Sequence, residues 1–511
     1  MPRRVQRSVS AARLAVVVAT CACSAQQVIA QPPDALGTVR MLESVLVEAI
    51  ARAEGAVVAV TPDDVAPLTQ SADPFDPLGR ARLPLTSDAG QADFPLKFGS
   101  GVVVAAPEEP AARFVLTTCQ VAFGDEHPAV DRTFRVTLRH PQRGSITLRG
   151  RPVAADRRID LAVLRLDLDG ARLDAASVPT LAIGDAADIR KGRFVIALGN
   201  PYAMARDGST SASIGIVSNI SRRPFVPLRD AAMVRDSPSI HEYGTLLTVD
   251  TRLQLGASGG ALLNLDGELI GITTALAAIQ GYEKSAGYAI PFDAGTRRII
   301  GELLRGYEAE YGFLGISPEP YRWAADPDQS IAAVRAAHVA VDSPAAQAEL
   351  RPQDLILQIN GQAVHDVSDL MRIIGLLGPG VTAELLVQHG REAAPQTIQS
   401  RLGKWPVYDD RDVLSTRERH PAWRGLTVDY PTARQRFLSS DRLEQYRRAV
   451  VVTHVAEGSA AFAAGLKIGD FIASVETDAV QTPQEFFTAA TARAGRVRLQ
   501  LWDKRTVVVE P

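Results

Sequence analysis

Residues 98 to 290 consist of short β-branched segments separated by turn residues, and this pattern limits most strongly what the chain can fold into. The clearest segments are Gly101-Val102-Val103-Val104, Arg135-Val136-Thr137-Leu138, Leu161-Ala162-Val163-Leu164-Arg165-Leu166 and Phe194-Val195-Ile196-Ala197-Leu198. Many short strands divided by turns are typical of all-β barrels and sandwiches. The pattern therefore predicts a mainly β domain in this part of the chain.

An internal repeat near the C-terminus sets the domain organisation. Residues 343–361, SPAAQAELRPQDLILQING, match residues 459–477, SAAFAAGLKIGDFIASVET. Each copy reads as a turn, a short Ala-rich helix and an Asp that leads into an apolar strand. Two copies predict two similar small domains. Residues 396–421, which are polar and Arg-rich, are interpreted as a linker or an inter-domain strap.

The N-terminal segment has the features of a secretory signal. Arginines near the start, an apolar run at 14–19 and small residues before Gln31 predict a signal peptide over residues 1–30. An uncleaved membrane anchor is the alternative, and the Arg3-Arg4 pair alone is a weak indication of twin-arginine export. We therefore expect an exported protein of the periplasm or cell envelope.

Residues 31–97 are expected to contain a helix, a first strand and a loop. Apolar residues at helical spacing over 36–54 predict the helix, and residues 56–60 predict the strand. From Thr61 to Lys97, six prolines occur together with Asp and Gly. This composition favours a long exposed loop.

Length and composition exclude several classes of protein. A chain of 511 residues has room for about three domains, and its 46% apolar and 22% charged residues are ordinary for globular proteins. The net charge of −3 gives no electrostatic reason to expect nucleic acid as a partner. Removal of the signal would leave Cys119 as the only cysteine, so the protein is not a disulfide scaffold. Scattered histidines and the lack of Cys/His ligand spacing indicate no metal site, and no cofactor is implied.

A glycine-flanked serine is the sharpest chemical signal. The segment reads Gly256-Ala257-Ser258-Gly259-Gly260. A tight turn of this kind allows backbone N–H groups to converge on one point, as an oxyanion hole requires. Ser258 is therefore a candidate nucleophile. An ordinary turn is the alternative interpretation of this string taken alone.

Several other segments, in the same order along the chain, make the sequence similar to the HtrA/Deg family of trypsin-like serine proteases with C-terminal PDZ domains. The matching segments are Phe98-Gly99-Ser100-Gly101-Val102, Ile159-Asp160-Leu161-Ala162-Val163-Leu164, Leu181-Ala182-Ile183-Gly184-Asp185, Ala197-Leu198-Gly199-Asn200-Pro201-Tyr202, Ser213-Ile214-Gly215-Ile216-Val217-Ser218, the Ser258 loop and Gly287-Tyr288-Ala289-Ile290-Pro291. The resemblance covers roughly residues 45 to 511. Several ordered motifs together are far more specific than any one of them.

The resemblance implies a mainly β architecture with three folded parts. A trypsin-like domain of two six-stranded β-barrels is expected at 45–305, with its active site between the barrels. It includes the first strand and the Pro-rich loop. Two PDZ-like α+β domains are expected to follow, at 310–400 and 415–511.

The same resemblance places the catalytic residues and reveals one departure. It puts the nucleophile at Ser258, the orienting carboxylate at Asp160, and the oxyanion hole at Gly256, Ala257 and Ser258. At the position where the family has its catalytic histidine, this chain has Gln120. A carboxamide cannot take a proton from the serine hydroxyl and return it to the leaving amine. It could still accept a hydrogen bond from Ser258 and donate one to Asp160.

Two histidines and a cysteine are the other residues that could replace the base. His127 follows Gln120 by seven residues, and His241 lies in the long loop from Arg222 to Gly244. A solvated loop histidine is the favoured interpretation of His127, and the sequence alone cannot place His241. Cys119 adjoins Gln120, and on a strand it would face the opposite way, so a small buried thiol is expected there.

Each PDZ-like domain begins with a candidate loop for binding a peptide carboxylate. By resemblance, the first loop is Phe313-Leu314-Gly315-Ile316, and the second is centred on Gly425 and Leu426. Peptides would add as an extra strand on the neighbouring edge. The first loop fits the pattern better, and a β-turn without a ligand is the alternative for each.

Two functions follow from these observations. The first is an HtrA/Deg-like protein of envelope quality control whose proteolysis is impaired and which acts by binding unfolded or C-terminal polypeptide segments. The alternative is an active serine endopeptidase that degrades misfolded exported proteins. Polypeptides are the expected partners in both cases. A homo-oligomer, a trimer by family resemblance, is the expected assembly.

Overall fold

The computed structural model describes residues 35–63, 98–124, 126–200, 209–223, 239–253, 256–274, 287–326, 329–390, 393–436 and 446–511. The predicted signal and residues 64–97 of the Pro-rich loop lie outside this part of the chain. By its contacts the chain separates into Met1–Ser44 and Val45–Pro511. Helix α1, Ala35–Ala53, confirms the predicted helix. No helix within the described ranges is long and apolar enough to cross a membrane.

The first barrel is built by six antiparallel strands. They are β1 Val57–Pro62, β2 Gly99–Ala106, β3 Glu109–Thr117, β4 Phe134–His140, β5 Gly144–Asp156 and β6 Leu161–Leu166. They pair in the order β5-β4-β1-β2-β3-β6, and β6 also pairs with β5, which closes the sheet. Every residue of β1 is buried, and all but Thr61 are apolar. A short helix, α2 Cys119–Phe123, follows β3.

The second barrel closes in the same way. Its strands are β7 Phe194–Gly199, β8 Ser211–Arg222, β9 Leu246–Val249, β10 Ala261–Leu263, β11 Leu269–Thr274 and β12 Gly287–Pro291. Their circular order is β10-β11-β12-β9-β8-β7. Helix α3, Ala294–Leu304, starts where the side chain of Asp293 accepts a hydrogen bond from the Thr296 N–H at 2.8 Å. The two barrels confirm the predicted double-barrel architecture.

Two domains of matching construction follow the barrels. The first contains β13 Gly312–Phe313, β14 Ile316–Asp326, β15 Gln329–Val339, α4 Pro344–Gln347, β16 Leu355–Ile359, β17 Gln362–Ala363, α5 Val367–Leu377, β18 Thr382–Gln388, β19 Gln396–Arg401 and β20 Gly403–Lys404. After β21, Val413–Ser415, the second contains β22 Leu426–Asp429, β23 Val450–Val455, α6 Ala460–Ala463, β24 Phe471–Val475, β25 Asp478–Ala479, α7 Pro483–Thr491, β26 Val497–Leu501 and β27 Thr506–Val509. The sheet orders β14-β15-β16-β18-β19 and β22-β23-β24-β26-β27 correspond strand by strand.

Equivalent residues of the sequence repeat perform the same local tasks in both domains. The hydroxyls of Ser343 and Ser459 cap helices α4 and α6, each accepting a backbone N–H at 3.2 Å. Asp354 accepts the N–H of Arg351, and Asp470 accepts that of Lys467, in the turn before the apolar strand. The repeat therefore encodes one helix start and one turn, both used twice.

The segment interpreted as a linker is only partly one. Residues 396–401 form strand β19 of the first PDZ-like sheet, so the linker begins later than predicted. Strand β21 pairs antiparallel with β5, and Val413 lies opposite Asp156. The polar composition of 396–421 hid these strands, because each of them has a largely solvent-facing pattern. The inter-domain strap is thus a strand added to the first barrel.

A buried lysine joins the end of the barrels to both PDZ-like domains. The ammonium of Lys404, only 4% exposed, lies 3.0 Å from Glu308, 3.2 Å from Glu310 and 2.8 Å from Asp429. These three carboxylates raise the pKa of Lys404 against the effect of burial, so it stays charged. Arg436 makes a further ion pair with Glu308. The cluster fixes β20, the segment after α3 and β22 to one another.

We expect Lys404→Ala to destabilise the protein by about 3 kcal/mol, because it leaves buried carboxylates without their shared cation. Chemical denaturation of the full chain should show the loss as a lower unfolding midpoint. Lys467→Ala is the matched control, since Lys467 is exposed, and it should change the free energy of unfolding by no more than about 0.5 kcal/mol. Equal midpoints for the two variants would contradict the assigned role of the cluster.

Candidate active site

Asp160 lies in the turn between β5 and β6 and is nearly fully buried. Its Oδ1 accepts the backbone N–H of Gln120 at 2.9 Å, and its Oδ2 accepts the hydroxyl of Thr274 at 3.0 Å. Its own backbone is in the left-handed region, with φ of 54°. Gln120 belongs to the first barrel and Thr274 to the second, so this carboxylate is bonded from both barrels.

The segment after β3 turns into helix α2 instead of continuing as a strand. Thr118 caps this helix, and its hydroxyl accepts the N–H of Val121 at 3.2 Å. The strand alternation expected for Cys119 is therefore wrong, although its burial is confirmed. Its thiol points to the Leu161 carbonyl at 3.1 Å, and burial, together with the charge of Asp160, raises its pKa. The thiol therefore faces the core of the first barrel.

The Ser258 loop is held in place by two hydroxyl-bearing side chains. Ser100 donates from its Oγ to the Gly256 carbonyl at 2.7 Å and from its N–H to the Ser258 carbonyl at 2.8 Å. Thr273 donates its hydroxyl to the Ala257 carbonyl at 2.6 Å. Gly256 has φ of 91°, a backbone conformation that few residues other than glycine adopt. The loop is thus fastened to β2 and β11.

These elements bring the predicted site residues together between the barrels. The hydroxyl of Ser258, half-buried, lies 3.4 Å from that of Thr118. Two residues further along, Gln120 reaches Asp160 through its backbone. Its carboxamide is exposed and bonds neither Asp160 nor Ser258 among the described residues. The side-chain bridge that the sequence suggested for Gln120 is therefore not formed.

All eight histidines lie in the described part of the chain. The exposed His127 lies near Asp409, whose pKa is lowered mainly by Arg411 and slightly by this histidine. His241 is buried. Its Nε2–H donates to the Ile159 carbonyl at 3.0 Å, and its Nδ1 accepts the hydroxyl of Thr245. The others are placed in strands, in turns or against PDZ-like elements: His140, His338, His365, His389, His420 and His454.

The sequence motifs do not include the supporting residues of this site. Three threonines support it through side-chain hydrogen bonds. Thr118 caps α2, Thr273 holds the Ser258 loop, and Thr274 bonds the Asp160 carboxylate. Thr118 carries a readable signal, because Ser, Thr, Asp and Asn before a helix are typical caps. The role of His241, the second residue of a 3₁₀ turn at Ile240–Tyr243, has no local signal, since the Ile159 carbonyl that it bonds is distant in sequence.

The glycines of the two candidate peptide-binding loops have the same local environment. Gly315 has φ of 85° and Gly425 has φ of 80°. A Cβ on Gly315 would lie 2.4 Å from the Cβ of Ser343, and one on Gly425 would lie 2.3 Å from that of Ser459. Any larger residue would therefore displace the cap of the following helix as well as strain the loop.

The surroundings of the two loops differ. In the second domain, the Leu426 N–H already donates to the Trp423 carbonyl at 2.8 Å. In the first, the Phe313 ring stacks on the ring of Tyr446, with centroids 6.0 Å apart. Tyr446 also donates its N–H to the Val341 carbonyl at 3.0 Å. The start of the second domain thus rests beside the first carboxylate loop.

Two family models match this architecture. The model of the trypsin-like peptidase domain matches residues 99–272, and that of the PDZ domain matches residues 336–388. These two matched domains are those of the HtrA/Deg family that the chain resembles. It is similar to a probable periplasmic serine endoprotease, DegP-like, of Halomonas elongata, with 31% identity over 66% of this chain and 65% of that protein. A protein of the same description from Brucella suis is 30% identical over 68% of this chain and 63% of that protein.

The chain thus spans slightly less than two thirds of the length of the curated relatives it matches. Among solved structures, it is similar to the HtrA-type protease AlgW with decapeptide, at 24% identity and a TM-score of 0.44, over 71% of this chain and 99% of that chain. It is also similar to the serine endoprotease from Yersinia pestis, at 23% identity and a TM-score of 0.41, over 70% of this chain and 98% of that one.

The buried His241 should make stability pH-dependent. Burial lowers its pKa from 6.5 to about 4, so the unfolded chain takes up this proton at a higher pH than the folded protein. Below pH 6.5, acidification therefore favours unfolding, and the loss from this group reaches about 3 kcal/mol near pH 4. His241→Gln keeps a donor and an acceptor but cannot titrate, so it should lose less stability than the wild type over this range.

Urea unfolding curves recorded from pH 7 to pH 4 measure this difference. His127→Gln is the matched control, because His127 is exposed, and it should follow the wild type at each pH. Parallel pH profiles for the wild type and His241→Gln would show that the buried ring does not govern this part of the acid sensitivity.

Proposed function

We propose that this HtrA/Deg-type protein is proteolytically impaired and acts by binding unfolded polypeptides or their carboxyl ends. The observation that carries the proposal is the placement of Gln120. Its backbone donates to Asp160 at 2.9 Å, where the family resemblance locates the general base, and its side chain is a carboxamide. A carboxamide does not titrate near neutral pH, so proton transfer from Ser258 has no acceptor at this position.

The placement of the eight histidines supports the same proposal. His241, the candidate from the long loop, uses both ring nitrogens in hydrogen bonds to Ile159 and Thr245. His127 is exposed and lies near Asp409, on the side of the interdomain segment. To take the Ser258 proton, His241 would have to give up the hydrogen bond that its Nδ1 accepts from Thr245.

Binding of polypeptides is assigned to the first PDZ-like domain. The proposed contacts are the backbone N–H groups of the Phe313-Leu314-Gly315-Ile316 loop, with β14 as the edge to which a peptide adds. The second loop, at Gly425 and Leu426, is a weaker candidate because one of its amides is already bonded within the domain.

An active endopeptidase is the second candidate function. It is favoured by the names of the relatives, which are probable periplasmic serine endoproteases, and by a Ser258 loop fastened at several points. Under this function, another group or a partner protein would supply the base. Export to the periplasm or cell envelope and assembly as a homo-oligomer, a trimer by resemblance, are proposed for both candidates.

Gln120→His tests the proposed impairment directly. If the rest of the site is in working order, the imidazole restores the missing base, and cleavage of unfolded casein should rise by about 10³-fold or more. Ser258→Ala in the same background is the matched control and should remove the gain. Labelling by a serine-directed phosphonate, followed by mass spectrometry, gives an independent measure of Ser258 reactivity.

Two results would contradict the proposal. Strong casein cleavage by the unmodified protein that disappears in Ser258→Ala would mean that another base serves Ser258. In that case the endopeptidase function would replace the binding function. Absence of any gain in Gln120→His, with unchanged unfolding behaviour, would mean that the loss of activity is not explained by position 120 alone.

Gly315→Val should abolish binding of peptides with apolar carboxyl ends, because its Cβ would meet Ser343 at 2.4 Å. Gly425→Val creates the matching clash with Ser459 at 2.3 Å and serves as the control. Isothermal titration of the full chain should show that only the first substitution removes binding. Loss of binding in Gly425→Val alone would assign the peptide site to the second domain instead.

A further inference from the structure

Strand β14 carries two prolines on the edge that a peptide would have to use. It is the first strand of the sheet order β14-β15-β16-β18-β19, and no strand pairs with its other side within the described part of the chain. Pro318 and Pro320 lie two residues apart in this strand, opposite Ala336 and Val334 of β15. Alternate residues of a strand direct their backbone polar groups to the same side, so the two prolines face the same way.

The hydrogen bonds of Ala336 show the direction in which the backbone polar groups of the two prolines point. Its N–H donates to the Asp354 carbonyl at 2.9 Å, and its carbonyl accepts the Gln353 N–H at 2.7 Å. Both polar groups of Ala336 therefore point towards β16, away from β14. Pro318 lies opposite Ala336, so its backbone polar side points away from β15, to the free edge. Pro320, two residues further along, faces the same edge.

The missing N–H groups interrupt the edge where an added strand needs donors. Outward-facing positions recur every second residue, at Ile316, Pro318, Pro320 and Arg322, and proline has no N–H to offer. Of these four positions, Ile316 and Arg322 keep their donors, and they lie about 20 Å apart at the usual rise of a strand. A peptide seated along β14 would thus find carbonyl acceptors at both prolines but no donors for its own carbonyls.

The position of the loop sets which peptide residues are affected. A peptide whose carboxylate sits at Leu314, Gly315 and Ile316 runs antiparallel to β14, because this loop immediately precedes the strand. Its last residue then lies beside Ile316, its third residue from the end beside Pro318, and its fifth beside Pro320. Only the carboxyl-terminal residue meets a full set of backbone partners.

We propose that the first PDZ-like domain reads only the free carboxyl end of a polypeptide, and that Pro318 and Pro320 set this limit. The inference rests on the peptide binding proposed above. The ligands are therefore polypeptide carboxyl ends, whatever sequence precedes them. Peptide residues beyond the last two or three gain few backbone hydrogen bonds from the edge of β14. The same loss of donors keeps the long β14–β15 hairpin from pairing with strands of other chains.

The edge strand of the second domain has no comparable prolines. Its edge strand β22 has the sequence Leu-Thr-Val-Asp, without proline, but it is only four residues long. It ends at Asp429, whose carboxylate is bonded to Lys404 at 2.8 Å. The two domains therefore have similar glycine loops but differ in the edge strand that follows each loop.

The test compares two fluorescent peptides that end in the same three apolar residues. One is the tripeptide, and the other extends it to eight residues with Gly and Ser, so that upstream side chains contribute little. Wild-type full-length protein should bind both with Kd values within about twofold. Pro320→Ala should increase the affinity for the octapeptide by about 2- to 10-fold, the usual net gain from one hydrogen bond. It should leave the affinity for the tripeptide unchanged. Pro318→Ala should increase the affinity for both peptides.

Pro352→Ala is the matched control, because Pro352 is exposed and lies in the turn before β16. It should change neither affinity. The inference is overturned if the wild type binds the octapeptide much more tightly than the tripeptide, or if the Pro318 and Pro320 variants bind both peptides as the wild type does. Failure of the wild type and of every variant to bind either peptide would instead refute peptide binding itself, and the inference with it.

Discussion

One buried carboxylate, that of Asp160, connects the parts on which the proposed site depends. A buried carboxylate is costly unless hydrogen bonds compensate its lost hydration. Here the Gln120 N–H from the first barrel and the Thr274 hydroxyl from the second supply them. The neighbouring Ile159 carbonyl is held by His241, from the 3₁₀ turn before β9. The turn that carries Asp160 is therefore clamped by elements from both barrels, and the Ser258 loop packs against the same junction.

This clamp uses the backbone of residue 120, not its side chain. Any residue with an N–H would satisfy Asp160 equally well, so the framework does not depend on a base at that position. The Ser258 loop is fastened independently, by Ser100 and Thr273. A site of this construction can keep its architecture while the proton-transfer group is exchanged for a carboxamide. That separation between architecture and proton chemistry is the physical basis of the proposed polypeptide-binding role.

The two PDZ-like domains illustrate how one repeat supports different surfaces. Their loops share a glycine packed against a capping serine, Gly315 on Ser343 and Gly425 on Ser459. The edge strands beside these loops differ in length and in proline content, and backbone donors on an edge decide how much of a peptide can be bound. The buried Lys404 fixes the two domains to the end of the barrels. The proposed difference in ligand recognition thus lies at the edge and not in the loop.

Local patterns in the sequence were sufficient for the mainly β fold, for helix α1 and for the repeated domains. Each depends on the spacing of apolar residues or on a repeated segment, and both can be read directly along the chain. The sequence did not predict strand β19, the pairing of β21 with β5, the helical turn at Cys119 or the support of Asp160 by Thr274. Two of these features, the pairing of β21 with β5 and the bond from Thr274 to Asp160, join residues far apart in the chain. Only the folded structure brings the two barrels together, and only there are hydrogen bonds across their junction possible.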